Sequence, residues 1–319
     1  MDNISAKIIE LASGVYVIPG NTNVGVIISG DSPEKEIYLV DSGCTEIDSE
    51  YILDVLTAFF EQQGCTFKLV GLLTTHSHPD HCGGHNYLKE HTGSLIYAAK
   101  GEQGAMETPI VQSAVLWGGY PPHELRTLYF KPAQTFVDKI ISEKLEIDIS
   151  GGRKINFIEL PGHTNSSMGV IISDKRGKKV IFAGDAIFPR DEIGRYWIPL
   201  IINPDEFMQS LDKLCEIKNV DWCIPSHGDF LRKNINEAAE LNKIAILSTR
   251  MCILNALESG KKMTADQLVK YVADKNYLEM TVSQFALISS TVRSYISVMH
   301  DAHEIKFEMK NNMLYFYKA

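Results

Sequence analysis

Apolar runs that end in histidine or aspartate recur along the first 230 residues, and they constrain the fold more than any other feature of the chain. "KLVGLLTT" (68–75) is followed by His76, Ser77, His78, Pro79, Asp80 and His81. "INFIELPG" leads to His163, "VIFAG" to Asp185 and "WCIPS" to His227. Short β-rich apolar runs bounded by turn residues read as strands. Each of these strands ends in a metal-competent residue beside Gly or Pro, a recurrence that polar residues scattered in loops would not produce.

Within the first cluster the spacing has a geometric meaning. Residues i and i+2 of an extended chain project the same way, so His76 and His78 can grip one ion from one side. Pro79 then turns the backbone, which frees Asp80 and His81 to point toward a second ion. Imidazole and carboxylate are ligands of Zn²⁺ and related divalent metals. One cluster alone leaves each metal short of ligands; His163, Asp185 and His227 supply the rest.

The remaining pattern is mixed. Strands are expected at 15–18, 24–29, 36–43, 94–100, 154–163, 167–173, 178–188 and 221–228, with helices at 46–63, 81–91 and near 205–218. Residues 101–150 combine aromatics with Gly and paired prolines without a steady period, and read as a lid-like insertion. From about 236 the chain turns helical: 236–258, a helix opened by the capping box Thr264–Gln267, and 282–299. The tail alternates around Asn311-Asn312, a hairpin signal. The expected division is a catalytic domain over 1–235 and a helical, winged-helix-like domain over 236–319.

Composition sets the compartment and excludes some partners. The 319 residues carry a formal net charge of −9, which disfavours broad nucleic-acid binding. No apolar stretch approaches the roughly 20 residues of a membrane span, and the N-terminus does not read as a signal peptide. The six cysteines show no CxxC spacing and no disulfide framework, so a cytoplasmic location is expected.

As a set, "THSHPDH", "GHT", "AGDAIF" and "SHG", with "YLVDSG" upstream, resemble the metallo-β-lactamase superfamily over about residues 10–230. The resemblance implies an α+β fold, the αββα sandwich of two facing sheets with helices outside and metals at one edge. It implies that His76, His78 and His163 hold a first metal, Asp80, His81 and His227 a second, and that Asp185 bridges both. Asp41 would orient the histidine loop rather than bind metal. The metal motif is similar to that of glyoxalase II, and the overall plan looks most like the lactamase-B-2-like branch with a winged-helix tail. Zn²⁺ suits these ligands, and Fe or Mn accept the same set.

The function expected is a hydrolase in which a hydroxide shared by two divalent metals, about 3.5–4 Å apart, attacks an ester-like bond in a thioester, lactone or related small acyl substrate. Asp80 is the expected catalytic group, able to bind metal and to take or orient the nucleophile's proton. Trp117, Tyr120, Tyr129 and Phe130 are candidates to wall a pocket, with Gly118-Gly119 as a hinge. Arg190, Arg195 and Tyr196 are candidates to meet an anionic group. His123 lies where it can meet substrate, Cys82 reads as a small buried filler and His85 as a surface helix histidine. The alternative is a single-strand endoribonuclease or phosphodiesterase using the C-terminal module. Residues 236–319 hold ten Lys/Arg against nine Asp/Glu, and the third helix carries a single Arg. That charge balance favours packing or homodimerisation for the module over nucleic-acid reading.

Overall fold

In the computed structural model, which describes residues 7–195 and 198–319, the apolar runs pair into two sheets. β1 (Ile9–Ala12), β2 (Val15–Ile18), β3 (Val24–Ile28) and β4 (Glu34–Val40) form an antiparallel meander. α1 (Glu46–Gln62) crosses to β5 (Thr66–Leu73), which runs parallel to β4. After α2 (Pro79–Cys82) and α3 (His85–Thr92) come β6 (Leu95–Ala99), α4 (Lys100–Glu107), α5 (Ile110–Trp117) and β7 (Lys139–Ile141), completing a seven-stranded sheet in sequential order.

The second sheet holds β8 (Glu146–Ile149), β9 (Arg153–Glu159), β10 (Met168–Ser173), β11 (Lys179–Gly184) and β12 (Val220–Pro225), in the order β12-β11-β10-β9-β8. Between β11 and β12 lie α6 (Arg190–Arg195) and α7 (Pro204–Glu216), so these two strands are parallel.

Side-chain alternation builds the layers. Ile37 and Leu39 of β4 join Ile52, Val55, Leu56 and Phe60 of α1 in one buried cluster. The intervening Tyr38 and Val40 join Phe157, Val170 and Phe182 of the second sheet in another. A strand with period two thus feeds both an inter-sheet core and an outer helical layer. The architecture is the αββα sandwich expected from the sequence.

A helical region follows: α8 (Ile235–Ala256), α9 (Ala265–Lys275) and α10 (Val282–Asp301), then the hairpin β13 (Ile305–Lys310) and β14 (Met313–Lys318). Thr264 Oγ1 accepts from Gln267 N–H and Gln267 Oε1 accepts from Thr264 N–H, closing the capping box. Asn311 and Asn312 both take left-handed backbone angles, φ 51° and 60°, as a two-residue hairpin turn requires. One apolar cluster runs from Ile158 and Ile181 through Phe207 and Leu211 to Tyr295 and Phe316, so these helices extend the outer layer of the second sheet.

Two sequence expectations change. The helix expected at 81–91 is broken at Gly83-Gly84. A Cβ at Gly83 would lie 2.0 Å from the Cys44 carbonyl oxygen, and one at Gly84 would lie 2.0 Å from Ser49 Oγ. The missing side chains let this turn sit against residues 42–49. The segment 101–150 is also more regular than its composition suggests, since α4 and α5 occupy its first half. No described helix is long and apolar enough to cross a membrane.

Candidate metal centre

Four strand ends deliver their polar residues to one edge of the sandwich. β5 ends at Leu73, β11 at Gly184 and β12 at Pro225, and His163 follows β9 by a short turn. Their side chains meet. His78 Nδ1 lies 2.9 Å from His76 Nε2 and 2.8 Å from His163 Nε2. Beside this trio, His227 Nε2 lies 3.3 Å from Asp80 Oδ2, and His81 Nε2 lies 3.6 Å from the same oxygen. Asp185 stands between the groups, with Oδ2 3.3 Å from His163 Nε2 and Oδ1 3.5 and 3.6 Å from the Nε2 atoms of His227 and His81.

The outer nitrogens of three rings are held by carbonyl or carboxylate acceptors. His163 Nδ1–H donates to Leu200 O at 2.7 Å, His227 Nδ1–H to Asn21 O at 2.6 Å, and His81 Nδ1–H to Asp41 Oδ2 at 2.9 Å. Each of these bonds selects the tautomer that presents Nε2 inward. Asp41 also accepts from Thr75 N–H at 2.8 Å and from Thr75 Oγ1 at 2.7 Å, which ties the end of β4 to the end of β5. Its backbone φ of 63° is uncommon for a residue with a side chain.

Electrostatics separate the two groups. Burial, followed by the charge of neighbouring rings, takes His76 well below the ordinary imidazole range and His78 down to about 3. Burial also lowers His163. For His81 burial pulls downward, but Asp80, Asp185 and Asp41 outweigh it and lift the ring to about 9. Burial opposes protonation of His227 too, and Asp185 and Asp80 overcome it and raise that ring. Burial alone would push the carboxyls of Asp80 and Asp185 up; the adjacent histidines hold both below the usual carboxylate range.

The donor set fits divalent cations. Three neutral rings whose nitrogens converge cannot all satisfy one another, because a neutral imidazole has one N–H and one lone pair. His81 Nε2 and Asp185 Oδ1 are buried and have no hydrogen-bond partner among the described residues. Leaving such atoms unmet costs about 1–3 kcal/mol each, or more where charge is involved. The trios His76/His78/His163 and Asp80/His81/His227 each bring ligand atoms within 4.8 Å of one another, as does His76/His81/Asp185.

Several residues that sequence reasoning passed over hold this edge together. Glu102, 4% exposed, accepts from Ser77, Thr164 and Ser166. Asn23 Nδ2 donates to Pro225 O and Gly228 O, both at 3.0 Å, and Thr22 Oγ1 donates to Asp80 O at 2.7 Å. His85 is not a surface histidine. It is fully buried, with Nδ1 2.6 Å from Ser42 Oγ and Nε2 2.9 Å from Thr74 Oγ1. Cys82 is buried, its Sγ 3.3 Å from Ser77 O.

A cleft of about 830 Å³ opens over His78, Asp80, His163, Asp185 and His227. Tyr129, Phe130 and Arg195 line it. Trp117 and Tyr120 do not: Trp117 packs edge-on against Phe285, and Tyr120, 75% exposed, accepts from Arg126. The helix that carries Trp117 ends there, and Gly118 turns the chain away with a left-handed φ of 80°. His123 is exposed and likewise outside the lining, while Tyr196 falls outside the described residues.

The chain is similar to known proteins in sequence and in fold. Residues 17–230 match the family model of the metallo-beta-lactamase superfamily. Metallo-beta-lactamase domain-containing protein 1 of Xenopus laevis is 25% identical over 227 residues, covering 66% of this chain and 82% of its own length. A hydroxyacylglutathione hydrolase of Albidiferax ferrireducens is 24% identical over 211 residues, covering 66% of this chain and 65% of its own. A metallo-beta-lactamase family protein from Thermus thermophilus shares the fold across 97% of this chain and all of its own, with a TM-score of 0.72 at 17% identity.

Proposed function

The chain belongs to the metallo-beta-lactamase superfamily, and we propose that it is a hydrolase that holds two divalent metal ions, Zn²⁺ by preference, and cleaves an ester-like bond in a thioester or lactone. The observation that carries this reading is a pair of buried atoms, His81 Nε2 and Asp185 Oδ1. They lie 3.6 Å apart, facing each other across the cluster, with no hydrogen-bond partner among the described residues. His76, His78 and His163 would hold the first ion, Asp80, His81 and His227 the second, with Asp185 between them. Ions bound there would lower the pKa of a water toward neutrality and polarise a carbonyl oxygen.

The chain's own groups do the positioning. Asp41, Leu200 O and Asn21 O fix the three inward-facing Nε2 atoms. Asp80 lines the cleft, and in this reading its carboxylate helps hold the second ion and orients the attacking water. The hydroxyacylglutathione hydrolase relative supports a thioester as the bond broken. Arg195 is the single Lys or Arg lining the cleft among the described residues, which supports a weakly charged substrate over RNA or glutathione. The cytoplasm is the compartment proposed, in keeping with six cysteines that all stand as free thiols.

The test is elemental analysis of protein purified without added metal, paired with hydrolysis of thioester, lactone, β-lactam, bis-p-nitrophenyl phosphate and RNA substrates. About two ions per chain and chelator-sensitive thioester or lactone cleavage are expected. Full activity in metal-free Asp185→Ala protein would refute the proposal.

A further inference from the structure

We propose that the cleft is an acyl-chain subsite whose far wall is helix α10, so that the substrate carries an apolar acyl group. The inference rests on the hydrolytic reading above and names the substrate class for that site. The cleft is continuous from His78, Asp80 and His163 to Gln284, Leu287 and Ile288 of α10. Between these ends its walls are mainly apolar, with Leu116 of α5, Phe130, Leu200, Leu278 and Met280; Gln112 of α5, whose buried Oε1 has no hydrogen-bond partner among the described residues, and Tyr129 add polar atoms. Its volume of about 830 Å³ is that of a small-molecule site rather than of a surface dimple.

Charge decides between occupants. Beyond the metal-centre residues, the charged side chains on the lining, among the described residues, are Asp48, Glu192 and Arg195. Asp48 Oδ2 already accepts from Cys44 N–H, Thr45 N–H and Thr45 Oγ1 at the start of α1. Glu192 and Arg195 pair with each other at 3.5 Å. One anionic group could meet the proposed ions, but each further phosphate or carboxylate along a phosphodiester chain or peptide would bury charge against the aliphatic walls beyond them, which is costly. An alkyl chain meets no such cost and gains from leaving water.

The wall is fixed in place rather than adventitious. Leu116, Leu125, Phe130 and Ala286 form one buried cluster, with Leu200 and Leu287 packed on it. That cluster joins α5 and the segment after it to α10. A residue at position 287 therefore faces both a packed seam and the cleft.

The experiment uses metal-loaded protein and N-acetylcysteamine thioesters of saturated acyl groups with two to ten carbons. The expected result is a kcat/KM that rises by about fourfold per methylene over the first additions, as full burial of each CH₂ would give. Leu287→Trp should lower the ratio of long-chain to two-carbon kcat/KM tenfold or more. Leu278→Trp, at an exposed position on the same wall, should do the same if the first variant fails to fold. A second arm measures binding of saturated primary alcohols of the same lengths to the protein as purified, by calorimetry. Affinity that tightens with chain length, and is lost in the Trp variants, supports the subsite even if no thioester is cleaved, in which case the hydrolytic reading alone fails. Cleavage with a flat chain-length profile, or binding indifferent to length, overturns the subsite.

Discussion

Glu102 and Ser77 are joined twice: Oε2 of the buried glutamate accepts from the Ser77 backbone N–H at 2.9 Å and from Ser77 Oγ at 2.5 Å. Ser77 lies between His76 and His78. The other oxygen, Oε1, accepts from Thr164 Oγ1 at 2.7 Å and from Ser166 N–H at 3.2 Å, just beyond His163. One carboxylate thus sets the spacing of two loops that carry three of the proposed ligands. Replacing Glu102 with Ala leaves four donors unmet, and a loss of about 2–4 kcal/mol in urea unfolding is expected. Affinity of the first ion should weaken about 10- to 100-fold, read by competition with a chromogenic chelator. Unchanged chelator competition would show that Glu102 serves folding only.

Asp41 acts on the other group. Asp41→Asn keeps the shape but weakens the acceptor for His81 Nδ1–H and places an amide opposite Thr75. The ring then loses its preference for presenting Nε2 inward. Second-ion affinity should fall by about 10- to 100-fold while the first ion is held nearly as before. Stepwise titration with Zn²⁺ followed by calorimetry separates the two.

The metal-free protein should have a two-sided pH profile. His78 and His85 stay neutral in the fold down to about 3, because burial disfavours their charged forms, whereas unfolded chains take up these protons below 6.5. Stability therefore falls as pH drops from 6.5 toward 3. His81 works in the opposite sense: its folded pKa of about 9 contributes stability that is full below 6.5 and lost as pH rises through 9. Urea midpoints of chelator-treated protein across this range check both limbs. A midpoint that is flat between pH 3 and 6.5 contradicts the first.

Loading with metal should release protons at neutral pH. His81 and His227 are both shifted upward by carboxylates that outweigh their burial, so they carry protons that an ion in their group must displace. The trio His76, His78 and His163 has none to give at that pH. Beyond any proton given up by a metal-bound water, a pH-stat titration at pH 7 should record about two more protons for one ion than for the other. Equal release at both steps would count against this division.

The sandwich was legible because alternating and fully apolar runs are long here, and the cluster because each run stops at a His or Asp beside Gly or Pro. The same rule applied once more would have found Glu102, which follows β6 by three residues. It escaped because α4 and α5 are eight residues each, too short to establish a helical period between Gly101, Pro109 and Gly118. His85 escaped because a lone helix histidine reads as a surface residue, and its partners Ser42 and Thr74 lie 43 and 11 residues away in sequence. The break at Gly83-Gly84 escaped because only the close approach of residues 42–49 demands it. Trp117 and Tyr120 stand off the cleft for a related reason: aromatic content marks a segment that buries surface, not which of its faces meets a cavity.

The cleft draws its lining from Ile18 through Ile288. During synthesis all seven metal-centre residues are therefore out of the ribosome once His227 has emerged, while α10 is still to be made. A nascent chain at that stage has all seven of those residues and none of the α10 wall. The far side of the cleft is thus supplied by a helix translated after every one of them.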